Sequence, residues 1–206
     1  EFIASCFLVM VIVGSGIMAE NLTNDNAVRL FANTIATGAG LFVLITSFAN
    51  ISGAHLNPFV SLSMYLTKKI KGKELLTYVP AQILGCLLGV MLANVFFEHS
   101  IIELSTKNRD GFHIFLSEIV ATFGLIFIIF ATLKDGKTTI AACVATYISA
   151  GYWFTSSTSF ANPAVAIART FTDSFTGINY LNTPTYIFAE LLGAIVAVYI
   201  IKRLIK

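Results

Sequence analysis

Two stretches, HLNPFVSLSMYL at residues 55–66 and FANPAVAIARTF at residues 160–171, contain the same Asn-Pro phrase. In each, a short polar loop leads into Asn-Pro and then into a run that can form a helix. Asn is a favoured N-cap residue, and Pro at the first helical position lacks the N–H that would be unpaired there anyway. Asn57 and Asn162 are 105 residues apart in a chain of 206. The sequence therefore places the same helix start once in each half.

The amino-acid composition is that of a membrane protein. Hydrophobic residues make up 56% of the chain and charged residues 12%, whereas a typical soluble domain has about 25% charged residues. The net charge of +2, with no basic cluster interleaved with aromatic residues, gives no indication of nucleic-acid binding. Cys6, Cys86 and Cys143 lie in apolar runs without the spacing of a metal or redox site. They are interpreted as small hydrophobic residues of the interior, and no metal site is predicted.

Six stretches are long and apolar enough to cross a bilayer, which requires about 20 mostly apolar residues. The runs that contain the two Asn-Pro pairs, 57–67 and 162–171, are too short to cross. Each is therefore expected to enter the membrane halfway and return. The predicted spans are residues 2–19, 28–48, 75–97, 112–133, 138–156 and 185–205.

The distribution of Lys and Arg predicts that both chain termini are cytoplasmic. With two re-entrant segments, nine Lys and Arg residues fall on the cytoplasmic side and four fall outside, as the positive-inside rule requires. With two additional full spans instead, the basic cluster at 68–73 would lie outside. The count supports the re-entrant segments and a multi-pass protein of the plasma (inner) membrane.

The similarity between the two halves extends beyond the Asn-Pro pairs. The run EFIASCFLVMVIVG from Glu1 resembles EIVATFGLIFIIFA from Glu118. The run VPAQILGCLLG resembles YIFAELLGAIVA, with Gln82 aligned to Glu190. Each half thus carries three predicted spans and one half-helix in the same order.

An odd number of crossings in each half means that the second half is inverted in the membrane. This predicts one channel domain over 1–206, made of inverted repeats at about 1–100 and 112–206. The N-termini of the half-helices would then meet at the midplane, where their dipoles and the amides of Asn57 and Asn162 face one spot. Such a spot repels cations and offers donors to a passing oxygen atom. Unwound backbone before each Asn is tolerable there only if it lines a wet cavity.

The phrases SGAHLNPFV and SFANPAVA resemble the two signature loops of the major intrinsic protein family, the aquaporins and aquaglyceroporins. The resemblance covers the whole chain. It implies an all-α membrane protein with six transmembrane helices and two re-entrant half-helices in an inverted repeat. It also implies passive conduction of water or small neutral solutes by a homotetramer in membrane lipid, without a cofactor. Selectivity in such pores comes from diameter, hydrogen bonding and electrostatic barriers.

The resemblance also implies roles for individual residues. His55 matches the loop histidine near the pore, or else it only packs the loop. Glu1 and Glu118 match the buried glutamates that brace the re-entrant loops by accepting N–H bonds. Glu190 stands where a Gln is expected, as a similar brace or near the outer half of the last span. The paired pore motifs are Asn57, Pro58 and Phe59 in the first half and Asn162, Pro163 and Ala164 in the second.

Two positions depart from the family pattern. Phe59 replaces the usual Ala, so its ring packs behind the loop or narrows the midplane. Val165 stands where most members place an Arg at the outer constriction. Carrying the other constriction positions over by ungapped spacing predicts a ring of small, uncharged residues and hence a wide passage. That ring is Thr37, Ala150, Ser159 and Val165.

Arg169 follows Val165 by four residues, so the two share one face of a helix. The arginine is therefore expected in the outer vestibule, one turn beyond the ring. Alternatively, it reaches the outer surface or pairs with Asp173.

The competing function is a proton- or ion-coupled secondary transporter, which would need an ionisable group at the midplane. The candidates are Glu1, Glu118 and Glu190, and each also has a scaffold role. No HExxH or GxSxG motif is present, so the chain is not predicted to be an enzyme. The solute remains open among water, glycerol, urea, ammonia and neutral metalloid acids. The FANPAVAIAR pattern also resembles prokaryotic members linked to arsenic handling.

Overall fold

The computed structural model describes residues 1–204, and its regular secondary structure there is entirely helical. Six long helices and two short ones follow one another along the chain, and one 3₁₀ turn, Arg169–Phe171, extends the second short helix. The helices are α1 (Phe2–Leu22), α2 (Asn26–Phe48), α3 (Pro58–Leu66), α4 (Gly72–Phe96), α5 (Phe112–Ala131), α6 (Lys137–Phe154), α7 (Pro163–Ala168) and α8 (Thr183–Leu204).

The six long helices correspond to the six predicted spans. Five of them, α1, α2, α4, α5 and α8, are long and apolar enough to cross a membrane. The exception, α6, has 18 residues and is more polar, with several Thr, Ser and Tyr side chains. It nevertheless packs against α2 and α5 as a member of the bundle. The largest differences at the boundaries of the long helices are three residues, at the end of α1 and at the start of α4. At the latter, the Glu74 carboxylate accepts a hydrogen bond from Lys71 N at 2.8 Å.

The helix contacts follow the internal repeat. α1 packs on α4 as α5 packs on α8, and each half-helix lies against the last long helix of both halves. The two principal contacts use glycines at equivalent positions. A Cβ at Gly85 would collide with the carbonyl oxygen of Phe2, and one at Gly193 with that of Ile119. Phe2 and Ile119 each follow the glutamate that begins the repeated run. Small residues thus allow the same close backbone approach in both halves.

The Asn-Pro pairs begin the half-helices as their sequence indicates. Asn57 Oδ1 caps α3 by accepting from Phe59 N at 2.9 Å. Asn162 Oδ1 caps α7 by accepting from Ala164 N at 3.1 Å. α3 has nine residues and α7 has six, so neither can cross a bilayer. Their N-terminal ends therefore lie inside the bundle, between the long helices.

Candidate functional site

The two asparagines are linked crosswise to the opposite loop. Asn57 Nδ2 donates to Ala161 O, and Asn162 Nδ2 donates to Leu56 O, both at 2.7 Å. An amide group has two N–H donors, and the second one of each asparagine has no protein acceptor within the described residues. Both side chains line a cavity, with 4% of Asn57 and 6% of Asn162 exposed. Two fixed N–H donors are therefore available to whatever occupies the cavity.

The residues that precede the asparagines have left-handed backbone. The φ angle is 52° at Leu56 and 46° at Ala161, and it is also positive two residues earlier, at Ala54 and Ser159. Residues other than glycine adopt this conformation at a cost of roughly 1–3 kcal/mol each. The surrounding hydrogen bonds must therefore hold both loops in place.

Glu1 accepts four of those hydrogen bonds, from the first loop and from neighbouring side chains. Its Oε1 accepts from His55 N at 3.0 Å and from Ser52 Oγ at 2.6 Å. Its Oε2 accepts from Leu56 N and from Gln82 Nε2, both at 2.7 Å. Both carboxylate oxygens thus hold the loop and its neighbours in place. Glu1 does not line the cavity.

Glu118 and Glu190 hold the second loop together. Glu118 accepts from Phe160 N at 3.0 Å and from Ala161 N at 2.8 Å. Glu190 accepts from Asn162 N at 3.0 Å. The sequence left open whether Glu190 braces a loop or lies near the outer half of the last span. In the structure it bonds to the second loop.

A cavity of about 120 Å³ runs past both asparagines. Residues of the two loops form part of its lining, from Gly53 to Asn57 and from Ser159 to Asn162. Aliphatic side chains of α1, α2, α5 and α6 form another part. They are Leu8, Ile12, Leu41, Ile45, Leu125, Ile129, Val144 and Ile148. The cavity therefore has a hydrogen-bonding wall, made by the loops, and an aliphatic wall, made by the long helices.

His55 lies at this cavity and also packs the loop, so both roles considered for it are compatible. Its Nδ1 is 3.0 Å from Ser61 Oγ, which in turn accepts from Gln82 Nε2 at 2.9 Å. Its ring meets that of Tyr78 edge to face, with centroids 5.4 Å apart. Phe59, in contrast, is absent from the cavity lining and packs against the hydrophobic core. Its ring therefore lies behind the loop and does not narrow the midplane.

The expected ring is only partly assembled. Thr37, Ser159 and Val165 all line the cavity. Ala150 does not, because its side chain is exposed on another face of α6. Tyr152 of the same helix lines the cavity and donates its hydroxyl hydrogen to Thr37 Oγ1 at 3.1 Å. Ungapped counting placed Ala150 in the ring, but the helical phase of α6 turns Ile148 and Tyr152 towards the cavity instead.

Arg169 lines the same cavity and is only 3% exposed. Its Cζ lies 3.5 Å from the centroid of the Phe160 ring, and its Nε donates to Thr176 O. Both alternatives from the sequence are wrong, because Arg169 does not reach the surface and Asp173 accepts from Thr106 N at 2.9 Å. Thr37, Ser159 and Val165 are uncharged, but a guanidinium also lines the cavity that they share.

Sequence analysis missed two further cations beside this arginine. Lys107 Nζ donates to Phe175 O at 2.7 Å, and Arg109 Nε donates to Gly177 O at 2.8 Å. Together with Arg169 they bind three consecutive carbonyls of one loop. Burial, followed by the charge of Arg109, lowers the pKa of Lys107 to about 8. The connection between α4 and α5 carries no motif that would have indicated these contacts.

Comparison with known proteins identifies the family. The family model for the major intrinsic protein matches residues 1–154, well over half of the chain. The chain belongs to the major intrinsic protein family. Aquaglyceroporin AqpS of Rhizobium meliloti (strain 1021) is 46% identical over 206 residues, which is 100% of this chain and 88% of that protein. Aquaporin-4 of Rattus norvegicus is 28% identical, over 96% of this chain and 63% of its own length.

A solved structure extends the likeness to the fold. The aquaglyceroporin from Plasmodium falciparum matches with a TM-score of 0.79 at 20% identity, over 99% of this chain and 93% of that one. The predicted fold class is confirmed: this major intrinsic protein has six transmembrane helices and two re-entrant half-helices in an inverted repeat.

Proposed function

We propose that this protein is a passive membrane channel for water and small uncharged solutes. The observation that carries the proposal is the crosswise pair of hydrogen bonds between Asn57 and Ala161 and between Asn162 and Leu56. These bonds fix each amide so that its second N–H stays free for an oxygen atom in the cavity. A water molecule or a hydroxyl group can pass from one hydrogen-bonding group of the loops to the next. The aliphatic side chains of the long helices form no hydrogen bonds that would hold it back.

Charged solutes are disfavoured in this passage. Cations meet the guanidinium of Arg169 at the outer end and the N-terminal ends of two helices at the centre. Anions lose their hydration against the aliphatic wall, which returns no hydrogen bonds. Uncharged molecules with one polar edge meet neither penalty.

Val165 leaves the passage wider than an arginine at this position would. It stands directly after the second motif, where most members have an arginine, and the cationic group of this chain lies one turn further out. A solute of glycerol size or a neutral metalloid acid is therefore the expected cargo alongside water. The name aquaglyceroporin, given to the relative at 46% identity, supports this assignment.

The coupled transporter is not favoured. Its carrier would be a carboxyl group exposed to the substrate, but Glu1, Glu118 and Glu190 all accept backbone N–H bonds and are absent from the cavity lining. Those groups position the loops. Neither a cofactor nor an enzymatic activity is part of the proposal.

A homotetramer in the plasma membrane, with both termini cytoplasmic, completes the proposal. Large apolar side chains are exposed on the outward faces of the helices and require lipid or neighbouring subunits. Among them are Phe7, Phe31, Val43, Leu84, Phe188 and Tyr199. The count of Lys and Arg residues supports the orientation.

Proteoliposomes containing the purified protein test this function. Osmotic shrinkage should be fast for water, and a glycerol gradient should dissipate faster than in empty vesicles. Imposing a proton gradient, or collapsing one with an uncoupler, should leave both rates unchanged. Glycerol flux that follows the proton gradient would establish the coupled transporter instead.

A further inference from the structure

Glu118 and Glu190 form a buried pair of acidic side chains that conduction does not use. Both are 0% exposed, and they reach the second re-entrant loop from α5 and α8. Together they accept from three consecutive backbone N–H groups, those of residues 160, 161 and 162. The last of these belongs to Asn162, so the pair sets the position of one pore amide.

The hydrogen bonds distinguish the two carboxyl groups. Both oxygens of Glu118 accept backbone N–H bonds. Glu190 uses only Oε1 in this way, and its Oε2 is buried without a donor. The two carboxyl groups bind the N–H groups of adjacent residues, Ala161 and Asn162, and therefore lie side by side. Neither forms an ion pair with a Lys or Arg of the described residues.

The first half of the molecule shows what this position requires. There Gln82 Nε2 donates to Glu1 Oε2 at 2.7 Å, while Glu1 accepts from two backbone N–H groups of its loop. Glu190 is the repeat equivalent of Gln82, and Glu118 is that of Glu1. An ionised carboxylate only accepts hydrogen bonds, whereas a protonated one has a hydroxyl donor. Glu190 can therefore replace Gln82 only as a neutral acid.

We propose that Glu190 holds a proton at neutral pH and donates it in a hydrogen bond to the Glu118 carboxylate, which fixes the loop that carries Asn162. Like charges so close together in a dry site cannot both persist, and sharing one proton between two carboxyl groups is the known solution. Glu118 is the ionised partner because both its oxygens already face N–H donors. The inference goes beyond the channel function and would hold whatever the solute.

The assignment predicts an asymmetry between the two glutamates. Glu190→Gln should preserve the site, since its amide N–H donates to Glu118 and its oxygen accepts from Asn162 N, as Gln82 does in the first half. Glu118→Gln should disrupt the site, because an NH2 group then faces a backbone N–H. Glu190→Leu should also disrupt it, because Asn162 N loses its acceptor.

Infrared difference spectra of the purified protein at neutral pH test the proton directly. The wild type should show the carbonyl stretch of a buried neutral carboxylic acid, and Glu190→Gln should lack it. Glu98→Gln, at an exposed position, is the matched control and should retain the band. Gln82→Glu should add a second band by creating the same acid pair in the first half.

Thermal unfolding supplies the second readout. Glu190→Gln should melt close to the wild type, and both Glu118→Gln and Glu190→Leu should melt well below it. A wild-type spectrum without the acid band would overturn the proposal, as would a band that persists in Glu190→Gln. Equal melting temperatures for Glu118→Gln and Glu190→Gln would overturn the assignment of the proton to Glu190.

Discussion

The guanidinium of Arg169 lies over the ring of Phe160, with Cζ 3.5 Å from the ring centroid. Thr176 O accepts from its Nε, and no carboxylate of the described residues forms an ion pair with it. The positive charge is thus held at the cavity lining without an ion-pair partner among these residues. Arg109 adds a second guanidinium on the same ring, with its Cζ at 5.5 Å.

Replacing Arg169 should weaken the exclusion of cations. Arg169→Met removes the only cationic side chain among the lining residues of the cavity, so methylammonium should permeate measurably, while water flux stays within a few-fold of the wild type. Arg169→Lys keeps the charge and should still exclude methylammonium. Flux assays in proteoliposomes measure both solutes. If Arg169→Met remained as impermeable to methylammonium as the wild type, exclusion would reside at the half-helix ends.

Val165→Arg should convert the passage towards a water-only filter. A long cationic side chain at this position narrows the ring formed with Thr37 and Tyr152, so glycerol flux should fall much more than water flux. Ala150→Val, on a face of α6 outside the cavity, is the matched control and should change neither. If the ratio of glycerol to water flux is unchanged in Val165→Arg, the constriction must lie elsewhere in the cavity.

Glu1→Leu should destabilise the protein more than it alters selectivity. The substitution removes the acceptor of two backbone N–H groups, of Ser52 and of Gln82. An unsatisfied buried donor typically costs about 1–3 kcal/mol. Melting temperature in detergent should therefore drop clearly. Glu103→Gln, which breaks only a half-exposed pair with His99, should have little effect, since such pairs contribute about 0–1 kcal/mol.

Lys107 gives the stability a pH dependence in the alkaline range. Its pKa falls from 10.5 to about 8 on folding, so between these values the unfolded chain binds a proton that the folded protein has released. Stability contributed by this group therefore rises with pH across that range. From pH 8 upward, the melting temperature of the wild type should rise relative to that of Lys107→Met. Lys134→Met, at an exposed position, should keep the wild-type slope, and an equal slope in Lys107→Met would refute the effect.

Much of the architecture could be predicted from the sequence because it depends on local signals. The lengths of the apolar runs predict the transmembrane helices. The Asn-Pro pairs predict that half-helices start at Asn57 and Asn162. The repeated runs from Glu1 and Glu118 give the inversion. Each of these features needs only the chemistry of a short segment and its position relative to the other half.

The errors arose where tertiary geometry decides. Counting residues could not reveal that α6 turns Tyr152 to the cavity and Ala150 away from it, because one residue of loop length changes the helical phase. Nor could it show that Arg169 is buried with its Nε bonded to Thr176 O and its guanidinium over the Phe160 ring. The proton proposed for Glu190 depends on its position beside Glu118 at the second loop, which the sequence alone does not give.

The central claim is that solutes pass between Asn57 and Asn162 and use their free N–H groups. Stopped-flow measurement of water and glycerol flux through Asn57→Asp and Asn162→Asp tests it most directly, with exposed Asn108→Asp as control. Each pore variant replaces two N–H donors with an anion, so both fluxes should fall several-fold while the control conducts normally. Well-assembled Asn57→Asp and Asn162→Asp proteins that conduct water and glycerol at the wild-type rate would contradict the claim.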